Sequence, residues 1–230
     1  YDANHNAIVV WTDSDEEPPY LFQVWYSVLP HFPPDPLWSY PQPIPGQVYN
    51  DVARKYRKGI SPGASGKAKA VWGPEFESWP VQCAYWDGSA FTSVSNVSGD
   101  ASGVESAIAF DRANNAITTY RTDRVCFQGD IWYNREVADV WSPSRFAAGT
   151  KDNGMDMNDD EPRIAFMLSG RAVAVWTAHY PDTEICYSIW KPPGFWTKPA
   201  IIASAIKHMP GDDGLWDGPV SIASNSGSPT

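Results

Sequence analysis

Residues 170–176 read Gly-Arg-Ala-Val-Ala-Val-Trp, and related stretches occur three more times along the 230 residues. Each stretch has an alanine four residues before an aromatic side chain, and the four stretches are 7–11, 68–72, 116–120 and 172–176. Short runs of small, β-branched and aromatic residues favour β-strands. Because self-similarity at intervals of tens of residues is typical of repeat proteins, the chain is expected to repeat a β unit.

Other landmarks keep their order around each aromatic. An isoleucine precedes it by twelve residues in three units (Ile60, Ile108 and Ile164), and Gly66, Asn114 and Gly170 mark turns. A further segment carries a tyrosine (Tyr26, Tyr85, Tyr133 and Tyr187), and a last segment starts at Trp38, Phe91, Trp141 or Trp196. Four short strands in about 50 residues are typical of a propeller blade.

The predicted fold is all-β: a β-propeller of four-stranded antiparallel blades, with four blades' worth of sequence in a single domain over 1–230. The units span approximately 1–50, 51–103, 104–158 and 159–217. Residues 218–230 resemble the start of a unit, so they are expected to form the first strand of a further blade or of the N-terminal blade. A closed four-bladed ring and a part of a larger propeller both agree with this pattern.

Charge and composition argue against nucleic acid and membrane as partners. With 17 Lys and Arg against 27 Asp and Glu, the net charge of −10 repels phosphate backbones, so nucleic acid is not expected as a partner. No apolar run is long enough to cross a bilayer, so membrane insertion is not expected either. Three cysteines (Cys83, Cys126 and Cys186) lie far apart in sequence and are interpreted as buried thiols.

The segments Tyr-Ser-x-Trp at 187–190 and Gly-x-Trp-x-x-Pro at 194–199, with the Ala-Val-Trp strands, resemble repeats of sialidase-like, Asp-box-type β-propellers. That family consists of secreted and cell-surface proteins, and the resemblance implies an extracellular or cell-surface location. An Asp box has Ser or Thr, then Asp, Gly and Trp at fixed spacing. Residues 188–196 lack the aspartate, and 87–91 keep only the second half of the motif, so the repeats are degenerate.

Enzymes of this family hold a substrate carboxylate with three arginines and use a tyrosine activated by a glutamate, with an aspartate as acid/base. No such set is recognisable in the sequence, and no catalytic residue is assigned. Arg163 departs from its own repeat, where Gly59, Ala107 and Ser221 stand, but an ion pair with Asp159 or Asp160 would also account for it.

Two groups of residues are candidates for ligand binding. One lies three residues before each repeat tyrosine, where an amide or carboxylate recurs: Gln23, Gln82, Asp130 and Glu184. These side chains would hold sugar hydroxyls or satisfy backbone groups between blades. The other group consists of tryptophans expected on loops, where they would stack on sugars or pack locally: Trp79, Trp86, Trp190 and Trp216.

The loop before the fourth unit has alternating oxygen ligands at Asp156, Asn158 and Asp160. This spacing suits a calcium loop, although Glu161 and Pro162 stand where a glycine would be expected. A solvated acidic loop is the alternative. Calcium is therefore the one candidate cofactor.

Together these features favour an extracellular, lectin-like module that binds carbohydrate without catalysis. The partner would be a glycan or a cell-surface protein. A sialidase-like glycoside hydrolase, or a fragment of one, is one alternative. A structural or adhesive segment of a larger surface protein is the other.

Overall fold

The structure is a computed structural model. It describes residues 6–14, 22–31, 37–46, 58–63, 67–73, 80–92, 94–99, 103–122, 129–148, 151–152, 155–156, 158–179 and 183–206. Within these residues every regular element is a β-strand, and all strand pairs are antiparallel. The prediction of an all-β, antiparallel fold is confirmed.

The strands form four sheets in chain order and one short hairpin. The first sheet contains β1 (Ala7–Ser14), β2 (Phe22–Leu29) and β3 (Gln42–Pro43). The second contains β4 (Lys58–Pro62), β5 (Ala68–Trp72), β6 (Gln82–Trp86) and β7 (Ser95–Asn96). The third contains β8 (Val104–Phe110), β9 (Ala116–Thr122), β10 (Asp130–Val137), β11 (Val140–Trp141) and β12 (Arg145–Ala148).

The hairpin joins β13 (Lys151–Asp152) to β14 (Met155–Asp156). The fourth sheet contains β15 (Asn158–Phe166), β16 (Ala172–His179), β17 (Thr183–Lys191), β18 (Phe195–Trp196) and β19 (Ala200–Ile206). In the third and fourth sheets, two strands share one edge: β11 and β12 both pair with β10, and β18 and β19 both pair with β17.

The repeated Ala-to-aromatic stretches lie in β1, β5, β9 and β16, of which β5, β9 and β16 are central strands and β1 ends the described part of the first sheet. In β5 all five side chains are buried. A strand covered on both faces has no need of alternating polar residues, so it appears in sequence as a nearly continuous apolar run. Ala68 and Ala70 leave room for the neighbouring sheets, whereas Lys69 is a charged exception whose partners are described below.

The sheets stack face to face, and each interface has its own hydrophobic core. Trp72 and Trp86 belong to the cluster between the first and second sheets. Val71 and Tyr120 belong to the next cluster, and Ile117 and Trp176 to the cluster between the third and fourth sheets. Burial of these faces drives the stacking, since each sheet alone would leave both apolar faces in water.

The leading strands β4, β8 and β15 contact one another in that order. The approach is close at Gly59, where an added Cβ would lie 3.2 Å from the Cα of Ala107. Among the described residues the first sheet has no strand equivalent to these three. The strand predicted in 218–230 lies outside the described residues, and no described strand joins the fourth sheet to the first.

Candidate functional site

Trp86 and Trp190 were expected on surface loops, and this placement is wrong. Trp86 is the last residue of β6, and Trp190 lies within β17. Both side chains are only 2% exposed. The third strands run one or two residues further than expected, and alternation along the strand then turns each indole into an interface between sheets. Trp79 and Trp216, the other two tryptophan candidates, lie outside the described residues.

The amide or carboxylate that recurs three residues before each repeat tyrosine occupies an equivalent strand position in three of the four units. Gln23, Asp130 and Glu184 pair across the strand with residues that lie two positions after the repeat aromatic. Gln82, however, pairs directly with Trp72, and its Oε1 accepts a hydrogen bond of 3.0 Å from the indole of that tryptophan. The repeat tyrosines were therefore misaligned by two residues in the second sheet, where the residue equivalent to Tyr26 and Tyr133 is Cys83.

The proposed calcium ligands cannot be compared as a set, because the side chains of Asp156 and Asn158 lie outside the described residues. The Asp160 carboxylate forms an ion pair with Arg121, and its Oδ2 lies 3.6 Å from Nε2 of His179. The described residues contain no cluster of three potential metal ligands. A cation bound at Asp160 would compete with the Arg121 guanidinium.

The cross-strand registers align three positions at each interface between sheets. Position A lies on the strand that carries the Ala-to-aromatic stretch (β1, β5 or β9), and position B is its partner on the following strand (β2, β6 or β10). The three pairs are Ile8 with Val28, Lys69 with Tyr85, and Ile117 with Arg135. Position C comes from the next sheet along the chain, where it directly follows that sheet's own position B. The three C residues are Trp86 in the second sheet, Glu136 in the third and Trp190 in the fourth. Each interface thus brings A and B of one sheet against C of the next.

The first–second interface fills these positions with apolar groups, since Ile8, Val28 and Trp86 pack in one cluster. The second–third interface instead holds Lys69, Tyr85 and Glu136. Lys69 and Glu136 are each 1% exposed and form an ion pair. The Lys69 ammonium also lies 3.6 Å from the centroid of the Tyr85 ring.

The Tyr85 hydroxyl lies between two carboxylates. It contacts Glu136 and stands 2.9 Å from Oδ1 of Asp139, in the turn between β10 and β11. Burial and the Asp139 carboxylate raise the pKa of Tyr85, whereas burial lowers the pKa of Lys69 to about 8. A raised phenol pKa disfavours the phenolate that a tyrosine nucleophile requires. Tyr85 therefore does not have the features of an activated nucleophile. Together with Lys69 and Glu136 it links the second sheet to the third.

The third–fourth interface leaves an open groove of about 530 Å³. Tyr133, Arg135, Trp141 and Arg145 line it from the third sheet, and Trp190 and Gly194 line it from the fourth. The volume lies within the range of small-molecule sites, and the mixture of aromatic walls with a few polar groups is typical of them. None of the residues that line the groove is acidic.

Two buried donors beside the groove lack partners among the described residues. The Arg135 guanidinium carbon lies 5.1 Å from the centroid of the Trp190 ring. The buried Nε of Arg135 and Nε1 of Trp190 have no hydrogen-bond partner in the described part of the chain. Both atoms are buried, so each is an unsatisfied donor that costs about 1–3 kcal/mol and is not itself exposed to the groove.

Sequence reasoning missed Lys69, Glu136, Arg135 and Arg145. The signal was present, because Lys69 stands where Ile8 and Ile117 stand in other units. For Arg135, Glu136 and Arg145, by contrast, the correct alignment of β10 and β12 with the other units was required. The lengths of the connecting loops vary, so the alignment could not be obtained from the tyrosines alone.

A different edge of the sheets carries two strained glutamates. Glu105 and Glu161 have φ angles of 54° and 55° at equivalent bulges of β8 and β15. The Glu161 N–H donates a 2.8 Å hydrogen bond to the Glu105 carboxylate. Arg163, in the same strand as Glu161, donates to the carbonyl of Pro162 at 3.0 Å.

No protein-family model matches the chain, and no curated protein matches it. Several solved structures, in contrast, match the fold of the chain. A sialidase described as Hadza microbial matches with a TM-score of 0.54 and 12% identity, over 80% of this chain and 46% of its own. An ulvan lyase of polysaccharide lyase family PL25 matches with a TM-score of 0.53 and 9% identity, over 85% and 55%.

A GH43 protein from Bacillus licheniformis matches with a TM-score of 0.53 and 11% identity, over 94% of this chain and 45% of its own. This chain therefore spans about half the length of these three proteins. The structural neighbours are propeller folds, and at such low identity the likeness concerns the fold alone. The antiparallel sheets stacked in chain order agree with it, and the chain has an all-β fold of the β-propeller type.

Proposed function

We propose that this chain is an extracellular or cell-surface, carbohydrate-binding module, and that the groove of the third–fourth interface is its binding site. The observation that carries the proposal is the groove itself. It combines aromatic residues with two arginines, of which Arg145 is exposed and Arg135 is half-buried, in a cleft of ligand size. Aromatic rings stack on the apolar faces of sugars, and donors orient the hydroxyl groups.

The solved structures support the carbohydrate class by analogy of fold. They include a sialidase and an ulvan lyase, both of which act on saccharides. Fold analogy alone is an associational argument, so the groove residues carry the greater weight. The four sheets would act as blades, either of a closed ring or of a larger propeller. Gln23, Asp130 and Glu184 stay a prediction as a second set of ligand contacts.

A glycan array probed with the purified chain tests the proposal, once with calcium and once with a chelator. Val140 lines the groove and is 69% exposed, so a tyrosine there would fill the site without disturbing a core. Val140→Tyr should lower the affinity for the best glycan about tenfold or more, as expected when a few good contacts are lost. Leu168→Tyr, at a 56% exposed position in the β15–β16 turn, is the matched control.

Equal loss in both variants, or none in either, would remove the groove from the proposal. Silence of the whole array in both conditions would overturn carbohydrate binding and favour the structural or adhesive segment. Release of sugar from a bound glycan would favour the sialidase-like hydrolase. Loss of binding with chelator alone would move the site to the Asp156–Asp160 loop.

A further inference from the structure

We propose that the groove recognises an anionic substituent on the saccharide, a carboxylate or a sulfate ester, and that Arg135 and Arg145 hold it. This inference rests on the proposed function, since it names the class of saccharide that the same groove takes.

The charge of the groove is opposite to that of the chain. The protein carries 27 acidic against 17 basic residues, yet the groove contains two arginines and no carboxylate. Neither Arg135 nor Arg145 forms an ion pair within the described residues, whereas Arg121 pairs with Asp160. Where carboxylates are in excess, two unpaired guanidinium groups in one cleft leave a site for an external anion.

Arg135 is also held in place. Its side chain lies against the Trp190 ring at 5.1 Å, and its backbone N–H donates to Oγ of Ser142 at 3.0 Å. A guanidinium fixed on an aromatic face loses less side-chain entropy when it binds, and its planar fork matches the oxygens of a carboxylate or sulfate. Arg145 is exposed on β12, whose strand partner at this position is Tyr133, another residue of the groove wall.

The two arginines offer only donors to a ligand. A guanidinium has N–H donors and no acceptor, and Arg145 is exposed while Arg135 is half-buried on the groove wall. A neutral sugar hydroxyl accepts a hydrogen bond but also brings a donor that needs its own acceptor. Carboxylate and sulfate oxygens only accept, so they fit a site composed of donors and positive charge.

The experiment uses matched oligosaccharides on the intact chain. Oligogalacturonates carry carboxylates, carrageenan oligosaccharides carry sulfates, and neutral galactan oligosaccharides carry neither. Dissociation constants are measured by calorimetry at low and at physiological salt. At least one of the anionic ligands should bind about tenfold or more tightly than the neutral one, and this preference should shrink as salt rises.

Charge-removing variants locate the effect. Arg145→Gln should erase most of the preference for the anion and leave neutral binding almost unchanged. Arg171→Gln removes the same charge from an exposed position in the β15–β16 turn and should change neither. Arg135→Met keeps an unbranched stem against Trp190 while removing the charge. It should act as Arg145→Gln does, and a melting temperature equal to that of the parent would show that the interface is intact.

Equal affinity for neutral and anionic ligands would overturn the anion inference and leave carbohydrate binding standing. So would an equal effect of Arg145→Gln and Arg171→Gln. Absence of binding to every saccharide would instead overturn the proposed function itself. Preference for only one of the two anionic ligands would support the inference and identify which of carboxylate and sulfate the groove takes.

Discussion

The second–third and third–fourth interfaces place different chemistry at the same backbone positions. Lys69, Tyr85 and Glu136 close the former with a buried ion pair. Ile117, Arg135 and Trp190 occupy the same positions in the latter and leave a groove. A stacked-sheet scaffold thus separates two properties, since the backbone sets where a position lies and the side chain decides whether the interface is closed or open.

The physical reason is the balance between desolvation and pairing. An ammonium and a carboxylate buried together must be in contact, because either charge alone would be strongly destabilising in the interface. A guanidinium at the edge of an interface keeps part of its hydration and needs no internal partner. The first kind of interface is closed, and the second is open to a ligand.

Removing one member of the buried pair should have the largest effect. Glu136→Ala leaves Lys69 buried without its carboxylate, and loss of one partner of such a pair costs about 3–5 kcal/mol of unfolding free energy. Urea denaturation followed by tryptophan fluorescence measures it. Glu184→Ala, a half-buried glutamate on β17, is the control and should cost much less. Equal destabilisation by both variants would show that the Lys69–Glu136 contact is not special.

Replacing both members should have a smaller effect of opposite sign. Lys69→Met with Glu136→Leu makes this interface apolar, as Ile8 and Trp86 make the first–second interface. Apolar replacement of a buried pair is often neutral or stabilising by about 1–4 kcal/mol, so the double variant should be at least as stable as the parent. A double variant as unstable as Glu136→Ala would mean that Tyr85 and Asp139 need the charges of Lys69 and Glu136 to be stable in this interface.

A local effect on the rate of thiol alkylation is expected at two cysteines, one in each of the two interfaces. Cys83 belongs to the second–third core and Cys186 to the third–fourth core, and both are free and buried. In a Cys126→Ser background, alkylation of both should be slow in the native state. Glu136→Ala should speed the labelling of Cys83 while leaving Cys186 nearly unchanged. Equal acceleration of both would indicate that the interfaces open together.

The two buried thiols also make the free energy of unfolding depend on pH. Burial raises the pKa of Cys83, and it raises the pKa of Cys186 to about 12. Since the unfolded thiol ionises near pH 8.5, the folded state holds its proton more tightly. The contribution of Cys186 to stability is therefore complete below about pH 8.5 and is lost as the pH rises toward 12. Denaturation of the parent and Cys186→Ala variants from pH 7 to 10 measures this slope.

The strands were largely predictable, because local periodicity carries their signal. The central strands β5, β9 and β16 begin at the predicted alanines, and the turn at Asn114 has the positive φ of 63° that its residue type favours. The limits of the third strands were not predictable. Trp86 and Trp190 lie after apparent strand ends, and only pairing with Ala68 and Ala172 extends the strands to include them.

The candidate site was much less predictable than the strands. Tryptophans outside the repeat positions were predicted to lie on the surface, and this prediction was wrong for Trp86 and Trp190, which are core residues. Arg135 received no attention because a single arginine in a strand has no distinctive local pattern. Its significance arises from Trp190, which lies 55 residues further along the chain and 5.1 Å from its guanidinium carbon.

By itself the sequence determined the all-β class, the places of the central strands and the acidic charge of the chain. These depend on composition and on periodicities of a few residues, which do not require knowledge of partners. Only the tertiary structure decided which strands align, that Lys69 meets Glu136 across 67 residues, and that a groove opens beside Trp190. Burial and pairing are properties of two surfaces in contact, so they cannot be assigned to a residue before its neighbour is known.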